Sequence, residues 1–376
     1  MAVRFELVRT QGRARAGTLT TARGAVPTPC FMPVATQATV KALTPGEVSA
    51  AGARMVIMNT YHLWLRPGAD LVAEQGGLHE FSRWPHAIAT DSGGYQAFSL
   101  AERTTLSEAG FDFASHLDGA RRLLTPEESM RVQGLLGSDI ALQLDVCPPA
   151  GASARELNEA VERTTRWAHR CLAALAPGQA LFGIVQGGLD VELRRSHARE
   201  LEKLPLDGIA LGGFSVGEAP AAMHRALADV APALDPERPH YLMGVGTRVD
   251  LILAIAAGVD MFDCVMPTRN ARNGQAFVRG GKLVIKNARY RSDKKVLDPG
   301  CGCPACSGGY SRSYIRHLYV AGEILAHRLL SLHNTYVYLD LVRRAREAIC
   351  EGRFDVWQQQ ELAVVRAEAA SPADTV

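Results

Sequence analysis

Six short apolar runs of this chain end on residues that can do chemistry or make room for it. One ends at Asp91, within Thr90-Asp91-Ser92-Gly93-Gly94-Tyr95-Gln96; later ones end at Asp145, at Gln186 followed by Gly187-Gly188, at Gly212-Gly213, near Met243-Gly244 and at Asp263. A single aspartate after a strand usually caps the next helix. Three in that position, beside glycine pairs, exceed what capping requires. Two carboxylates flanking an anomeric carbon are the apparatus of glycosyl transfer: one attacks the carbon, the other carries a proton to and from the leaving group. A third carboxylate and an amide suit the edge of a planar base, since Asp accepts from N–H groups and Gln both donates and accepts. Backbone groups at Gly212-Gly213 are open to a ligand because no side chain intervenes. Tyr95 and Met243 have the shape to cover the two faces of a flat ring.

These residues share one site only if the runs are strands that converge. Eight runs are found, at Phe31–Val34, Met55–Asn59, Ala87–Thr90, Ile140–Leu144, Leu181–Val185, Gly208–Leu211, Tyr241–Met243 and Val259–Phe262. Most are separated by helical patterns. Thr125-Pro126-Glu127-Glu128 reads as an N-cap, a first-position proline and a first turn of acids. Ser153–Leu175 and Asp190–Leu204 carry apolar residues at three- and four-residue spacing, and Thr247–Ala257 is an apolar helix. Strands alternating with helices imply parallel βα units. Eight of them predict an α/β protein with a closed (β/α)₈ TIM barrel, whose strand C-termini open on the face that holds the active site. Asp118-Gly119 predicts a hairpin insertion near 111–124. After Asp263 the alternation stops. The expected organisation is a barrel core with N-terminal strands over 1–263, then a basic zinc-binding subdomain and C-terminal helices over 264–376 packed on the barrel, with no Gly/Ser- or Pro-rich linker.

The C-terminal part supplies the most specific local pattern. Cys301-Gly302-Cys303-Pro304-Ala305-Cys306 and one histidine make a complete tetrahedral zinc shell, with His333 as the fourth ligand and His317 and His327 as competitors. Such a shell has no open position, so one structural Zn²⁺ per chain is expected. Cys30, Cys147, Cys171, Cys264 and Cys350 are scattered and read mostly as buried hydrophobes. Between Cys264 and Arg316 eleven Lys or Arg stand against two acids, Asp293 and Asp298, in a chain whose net charge is only +2. A basic block of this kind points to a polyanionic partner on one face.

With 376 residues, 47% of them hydrophobic, the chain can bury a large core, which excludes a disordered or disulfide-stapled peptide. Its longest apolar run, Leu251–Val259, is far short of the ~18 residues a membrane span needs. Met1-Ala2-Val3-Arg4-Phe5-Glu6 has no apolar signal region, so a reducing, cytoplasmic setting with free thiols and no membrane contact is expected.

Asp91-Ser92-Gly93-Gly94-Tyr95-Gln96, Phe262-Asp263-Cys264-Val265-Met266-Pro267-Thr268-Arg269 and the Cys301, Cys303, Cys306 and His333 set resemble tRNA-guanine transglycosylase of the bacterial type. His62-Leu63, Ser115-His116-Leu117-Asp118-Gly119, Gly183-Ile184-Val185-Gln186-Gly187-Gly188 and Tyr241-Leu242-Met243-Gly244-Val245-Gly246 extend the resemblance over nearly the whole chain. It implies a zinc-bearing (β/α)₈ barrel, usually dimeric, that replaces guanine at the wobble position of tRNAs with GUN anticodons by a 7-deazaguanine. Asp263 resembles the nucleophile that attacks C1′, and Asp91 the general acid/base. Ser92, Gly93, Gly94, Asp145, Gln186, Gly213 and Phe214 resemble the base pocket, and Tyr95 and Met243 the ring sandwich. Gly244-Val245-Gly246-Thr247-Arg248-Val249-Asp250 and Thr268-Arg269-Asn270-Ala271-Arg272 resemble the tRNA contacts near the anticodon. Arg269 and Arg272 follow the nucleophile, at the mouth that phosphates and flanking bases must pass.

The chain departs from the bacterial pattern in three places: Val146 where Glu is common, Phe214 where Leu is usual, and a Cys306–His333 interval longer by one residue beside Gly308-Gly309. The resemblance to the bacterial branch implies 7-aminomethyl-7-deazaguanine (preQ1) as the incoming base, with Val216 as the bulky residue expected to narrow the pocket and Glu218 expected to answer the ammonium through adjacent backbone. Queuine is the alternative. A non-catalytic tRNA-binding accessory subunit would lack the two carboxylates that stand here. A barrel hydrolase with a catalytic zinc would need His or Asp ligands at strand ends around an open metal position. The archaeal relative with an RNA-binding C-terminal extension is not expected.

Overall fold

The computed structural model describes residues 2–99, 104–279 and 281–370. All eight apolar runs are strands: β1 (Cys30–Ala35), β2 (Met55–Met58), β3 (Ala87–Thr90), β4 (Ile140–Leu142), β5 (Ala180–Val185), β6 (Gly208–Leu211), β7 (His240–Leu242) and β8 (Met261–Cys264). They pair parallel in chain order, and β8 closes on β1. Both faces of each strand are buried, which is why the runs are continuously apolar rather than alternating. The alternation survives in what each residue touches. Phe182 and Ile184 of β5 point into the barrel with Met32, Ile57, Leu142 and Tyr241, whereas Leu181 and Val185 face the surrounding helices.

The helices start where local chemistry directs. Thr125 accepts a hydrogen bond from the Glu128 N–H at 3.0 Å and caps Pro126–Leu136. Ser153 with Glu156, and Thr247 with Asp250, form capping boxes on Ala154–Ala173 and Arg248–Ala257. Near Asp118-Gly119, Phe111–Ala114 pairs antiparallel with Arg121–Leu124, and Thr104–Leu106 adds a third strand.

A three-stranded antiparallel sheet, Arg4–Gln11, Ala14–Thr21 and Gly24–Thr28, covers the end of the barrel opposite the site. Its Leu19 and Val26 join the barrel interior. Beneath the barrel Arg15 forms a buried ion pair with Asp260 at 3.2 Å, and Asp260 accepts from the His240 N–H at 2.8 Å.

Past β8 come helix Met266–Arg272, strands Gln275–Val278 and Gly281–Val284, and helices Pro304–Ser307, Arg312–Val320, Ile324–Cys350 and Phe354–Ala370. This part has its own apolar cluster around Ile285, Leu297, Ile315 and Leu330. Helix Ile324–Cys350 joins it to the barrel, with the Tyr338 ring 5.0 Å from that of Phe31 on β1. Among the described residues no helix is long and apolar enough to cross a membrane.

Arg15→Met is expected to lower stability by about 3 kcal/mol, because it leaves a buried carboxylate without its cation. The Asp260 carboxyl is already pushed up to about 7 by burial, and Arg15 opposes that shift. A carboxyl raised in the folded state loses stability as pH climbs from its unfolded value through its folded one. The penalty of Arg15→Met should therefore be larger at pH 8 than at pH 5 in urea unfolding. Equal penalties at both pH values would show that the pair carries no charge.

Candidate active site

The strand ends meet as the barrel requires. Asp91 follows β3, Asp145 lies three residues past β4, Gln186 follows β5, Gly212-Gly213 follow β6, Met243-Gly244 follow β7, and Asp263 stands in β8.

Asp91 is held by three donors. Its Oδ2 accepts from Asn59 Nδ2 at 2.5 Å, and its Oδ1 from the N–H groups of Thr60 at 3.0 Å and Gly93 at 3.1 Å. Asn59 also caps helix Thr60–Leu65, with Oδ1 accepting from the His62 N–H at 2.9 Å, so one amide orients both helix and carboxylate. Gly93 takes a left-handed φ of +81°, and a side chain there would press on the Tyr61 backbone. The Ser92 carbonyl, which accepts from Ser129 Oγ at 2.7 Å, anchors the turn from behind.

Asp263 accepts from Tyr241 Oη–H at 2.5 Å and from the Gly244 N–H at 2.7 Å. Both bonds land on Oδ1, so among the described contacts Oδ2 is the oxygen left to meet a ligand. Burial raises the Asp263 carboxyl above its ordinary range, against those two donors. Burial also raises Asp91, to about 7; the negative charge of Asp263 adds to the rise, while the donors on Asp91 oppose it. Asp91, which senses the charge of Asp263, is thus set near neutral pH where a carboxyl can carry a proton, while Asp263 is pinned with one oxygen free.

Beside them Gln186 Nε2 donates to Asp145 Oδ2 at 2.7 Å. Burial raises the Asp145 carboxyl to about 6, and the Gln186 bond opposes it. Gln186 Oε1 is buried and has no donor among the described residues. The room left by Gly212-Gly213 is taken up by this amide: a Cβ on Gly212 would lie 2.6 Å from Gln186 Nε2, and one on Gly213, whose φ is +67°, would collide with Oε1. The glycines clear space for the Gln186 side chain first. The Gly213 N–H still has no acceptor among the described residues. Tyr95 is 54% exposed on helix Gly94–Ser99, and Met243 is half-buried against the barrel interior. Tyr95, Phe98 and Val146 line, with Asp145, a cavity of about 190 Å³.

In the first segment read as tRNA contacts, Gly244 meets Asp263, Val245, Gly246 and Asp250 are buried, and Thr247 caps a helix. Arg248 and Val249 are half-buried. On helix Met266–Arg272, Thr268 and Ala271 are buried, Asn270 is half-buried, and Arg269 is exposed. Arg272 keeps one buried guanidinium nitrogen without an acceptor among the described residues.

Cys301, Cys303, Cys306 and His333 come together, with all ligand atoms within 4.8 Å of one another. The three Sγ atoms lie 3.7, 3.3 and 3.5 Å from His333 Nδ1. Metal bonds of ~2.3 Å to sulfur and ~2.0 Å to nitrogen at tetrahedral angles separate S and N by about 3.5 Å, so the donors fit one tetrahedral ion. His333 Nε2 faces the Phe277 carbonyl at 2.7 Å, the bond that turns Nδ1 toward a metal. His317 and His327 stand outside this cluster. The next residue, Asn334, is buried and bonds to Phe277 N, Pro267 O and Gln275 O at 2.8, 3.0 and 2.9 Å, tying the Cys₃His cluster to the arginine-bearing helix.

Sequence reasoning missed Asn59, Thr60 and Tyr241, which hold the carboxylates, and Arg194 and His197 behind Gln186. Asn59 and Tyr241 sat in apolar runs and read as strand. Arg194 and His197 broke the apolar stripe of a helix, and that break was the available signal.

A family profile described as queuine tRNA-ribosyltransferase matches residues 10–366. A relative from Sorangium cellulosum named queuine tRNA-ribosyltransferase is 66% identical over 93% of this chain and 88% of its own length. Relatives of the same name from Sphingopyxis alaskensis and Nitratidesulfovibrio vulgaris are 52% and 50% identical; the matches cover 93% and 98% of this chain and 95% and 98% of theirs.

Because the charge of Asp263 helps raise Asp91, Asp263→Asn should lower the Asp91 pKa from about 7 toward the usual carboxylate range. Carboxyl ¹³C titration of the two proteins measures this. An unmoved Asp91 would show that the two carboxylates do not sense each other.

Proposed function

The chain belongs to the queuine tRNA-ribosyltransferase family, and on that premise we propose that it is a tRNA-guanine transglycosylase that exchanges guanine at the wobble position of GUN-anticodon tRNAs (Asp, Asn, His, Tyr) for preQ1. The observation that carries the reading is the convergence at the strand ends of two buried, donor-held carboxylates, Asp91 and Asp263, beside the Asp145–Gln186 edge.

Asp263 Oδ2 attacks C1′ of the ribose. The C1′–N9 bond breaks, its electron pair goes to guanine, and Asp91 supplies the proton the leaving base takes. The incoming base then returns its N9 proton to Asp91, N9 attacks C1′, and Asp263 is released. Two displacements on one carbon restore the original configuration. A proton carrier works best when its pKa lies near ambient pH, which is where burial puts Asp91. Asp145, Gln186 and the Gly213 N–H read the base edge, while Ser92, Gly93, Gly94 and Phe214 shape the pocket. Tyr95 and Met243 cover the faces of the base, which explains why Tyr95 is left exposed without it.

The target nucleotide must leave the anticodon stack, at about a few kcal/mol. Residues 1–263 serve as the catalytic unit and 264–376 as the unit that holds the tRNA. The basic block meets phosphates, while Arg269 and Arg272 meet the neighbouring bases. The accessible part of Gly244–Asp250 lines the other side of the mouth. Zinc, held by Cys301, Cys303, Cys306 and His333, is structural: its chemistry is to lock that unit in place. A second copy of the chain would cover the exposed Val320 and Ile324 and the stacked Tyr310–Tyr314 pair, giving a homodimer. The setting is cytoplasmic.

Labelled guanine, preQ1 and queuine, each offered with a GUN stem-loop, test the exchange. Guanine and preQ1 should enter the RNA. Entry of queuine instead of preQ1 would replace the incoming-base assignment, and entry of none would overturn the function. Arg272→Ala should reduce discrimination between stem-loops with and without the G-U dinucleotide; a uniform loss across substrates would make its role positional. Metal analysis should find one zinc per chain, and Cys303→Ser should lower the melting temperature. Loss of all metal with unchanged stability and tRNA affinity would contradict the structural role.

A further inference from the structure

Helix Val191–Glu202 carries two polar side chains in its inward stripe, Arg194 and His197, alongside Ala198 and Leu201. Arg194 has no surface exposure, and among the described residues no carboxylate lies within ion-pair distance of it. Burial pulls its pKa down to about 9. An unpaired buried guanidinium is costly, and this one is held almost entirely by main chain.

Its Nε donates to the Gly188 carbonyl at 2.6 Å, and its Nη atoms donate to Val185 O at 3.2 Å and Gly213 O at 3.4 Å. Its Cζ sits 3.8 Å from the centre of the Phe214 ring. One turn along the helix, His197 Nδ1 accepts from the Gln186 N–H at 3.0 Å. Burial holds His197 down to about 4, so it stays neutral and can accept. The two side chains therefore grip the turn after β5 and the turn after β6 from behind, while the front of those turns carries Gln186 and Gly213.

A trans peptide sets its N–H opposite its C=O. Fixing the Gly213 carbonyl on Arg194 turns the Phe214 N–H to the other side. Neither the Gly213 nor the Phe214 N–H has an acceptor among the described residues, and Gln186 Oε1 lacks a donor. Three unmet polar groups thus belong to the two turns that Arg194 joins.

We propose that Arg194 is a positioning residue for base recognition: it clamps the turn after β5 to the turn after β6, so that Gln186 and the Gly213–Phe214 backbone meet the base in one fixed register. The proposal rests on the exchange reading above, because it assigns the base as the ligand of that edge. Arg194 touches no substrate. Its planar fork reaches several carbonyls at once, which a lysine ammonium cannot match.

The test is steady-state exchange in wild type, Arg194→Lys and Arg194→Met, varying labelled guanine at saturating stem-loop and then the reverse. Wild type must incorporate guanine first; if it does not, the exchange reading fails, and not this inference. Both variants should raise the KM for the base about tenfold or more, the scale of one lost recognition bond, and change kcat and the KM for RNA by less than about threefold. An unchanged KM for the base with a smaller fraction of active enzyme would make Arg194 a purely structural residue and overturn the proposal. Full recovery by lysine would overturn the clamp in favour of charge alone. Methionine keeps the volume and removes the charge, which guards against a lysine variant that does not fold. If neither variant folds, the weight of Arg194 lies in stability and the proposal falls.

Discussion

Placing Asp91 and Asp263 in one desolvated barrel mouth is unfavourable in two ways, since each loses water and each repels the other. The surroundings of the site can be read as the answer to that constraint. Asn59, Thr60 and Gly93 aim donors at Asp91, while Tyr241 and Gly244 aim donors at Asp263. Those donors do not restore ordinary acidity: Asp91 still stands near 7. A carboxyl that titrates near neutrality can take up and return a proton, which is the role proposed for Asp91.

The barrel makes this arrangement possible by geometry. Every strand delivers its last residue to one rim, so groups more than a hundred and fifty residues apart in the chain meet there. The opposite rim is closed by the N-terminal sheet and the Arg15–Asp260 pair, which leaves one open face. The part beyond β8 reaches that face through helix Met266–Arg272. Asn334, next to the metal-cluster residue His333, bonds to both that helix and the following strand. The Cys301–Cys303–Cys306–His333 cluster and helix Met266–Arg272 are therefore joined through the hydrogen bonds of one neighbouring side chain.

Much of the fold was legible because parallel strands buried on both sides leave unbroken apolar runs, and a polar residue that ends such a run stands out. Asp91, Asp145, Gln186 and Asp263 were visible for that reason. Boundaries were less so. Val259 looked like strand, but Gly258 caps the preceding helix in a left-handed conformation and β8 begins only at Met261. The supporting residues were harder to see. Tyr241 is fully buried and differs from a core tyrosine only in where its hydroxyl points. Gly212-Gly213 looked like open backbone for a ligand, whereas their first task is to clear space for Gln186. Side-chain direction and long-range pairing decide these roles, and neither is written in local spacing.

In the proposed exchange Asp263 is the group that bonds to ribose. Wild-type protein mixed with a GUN stem-loop and denatured during turnover should give an RNA–protein adduct, and peptide mapping should place the ribose on the fragment that holds Asp263. Excess guanine should reverse the adduct before denaturation. An adduct on the Asp91 fragment, or exchange at full rate with no covalent species at any time, would contradict the account.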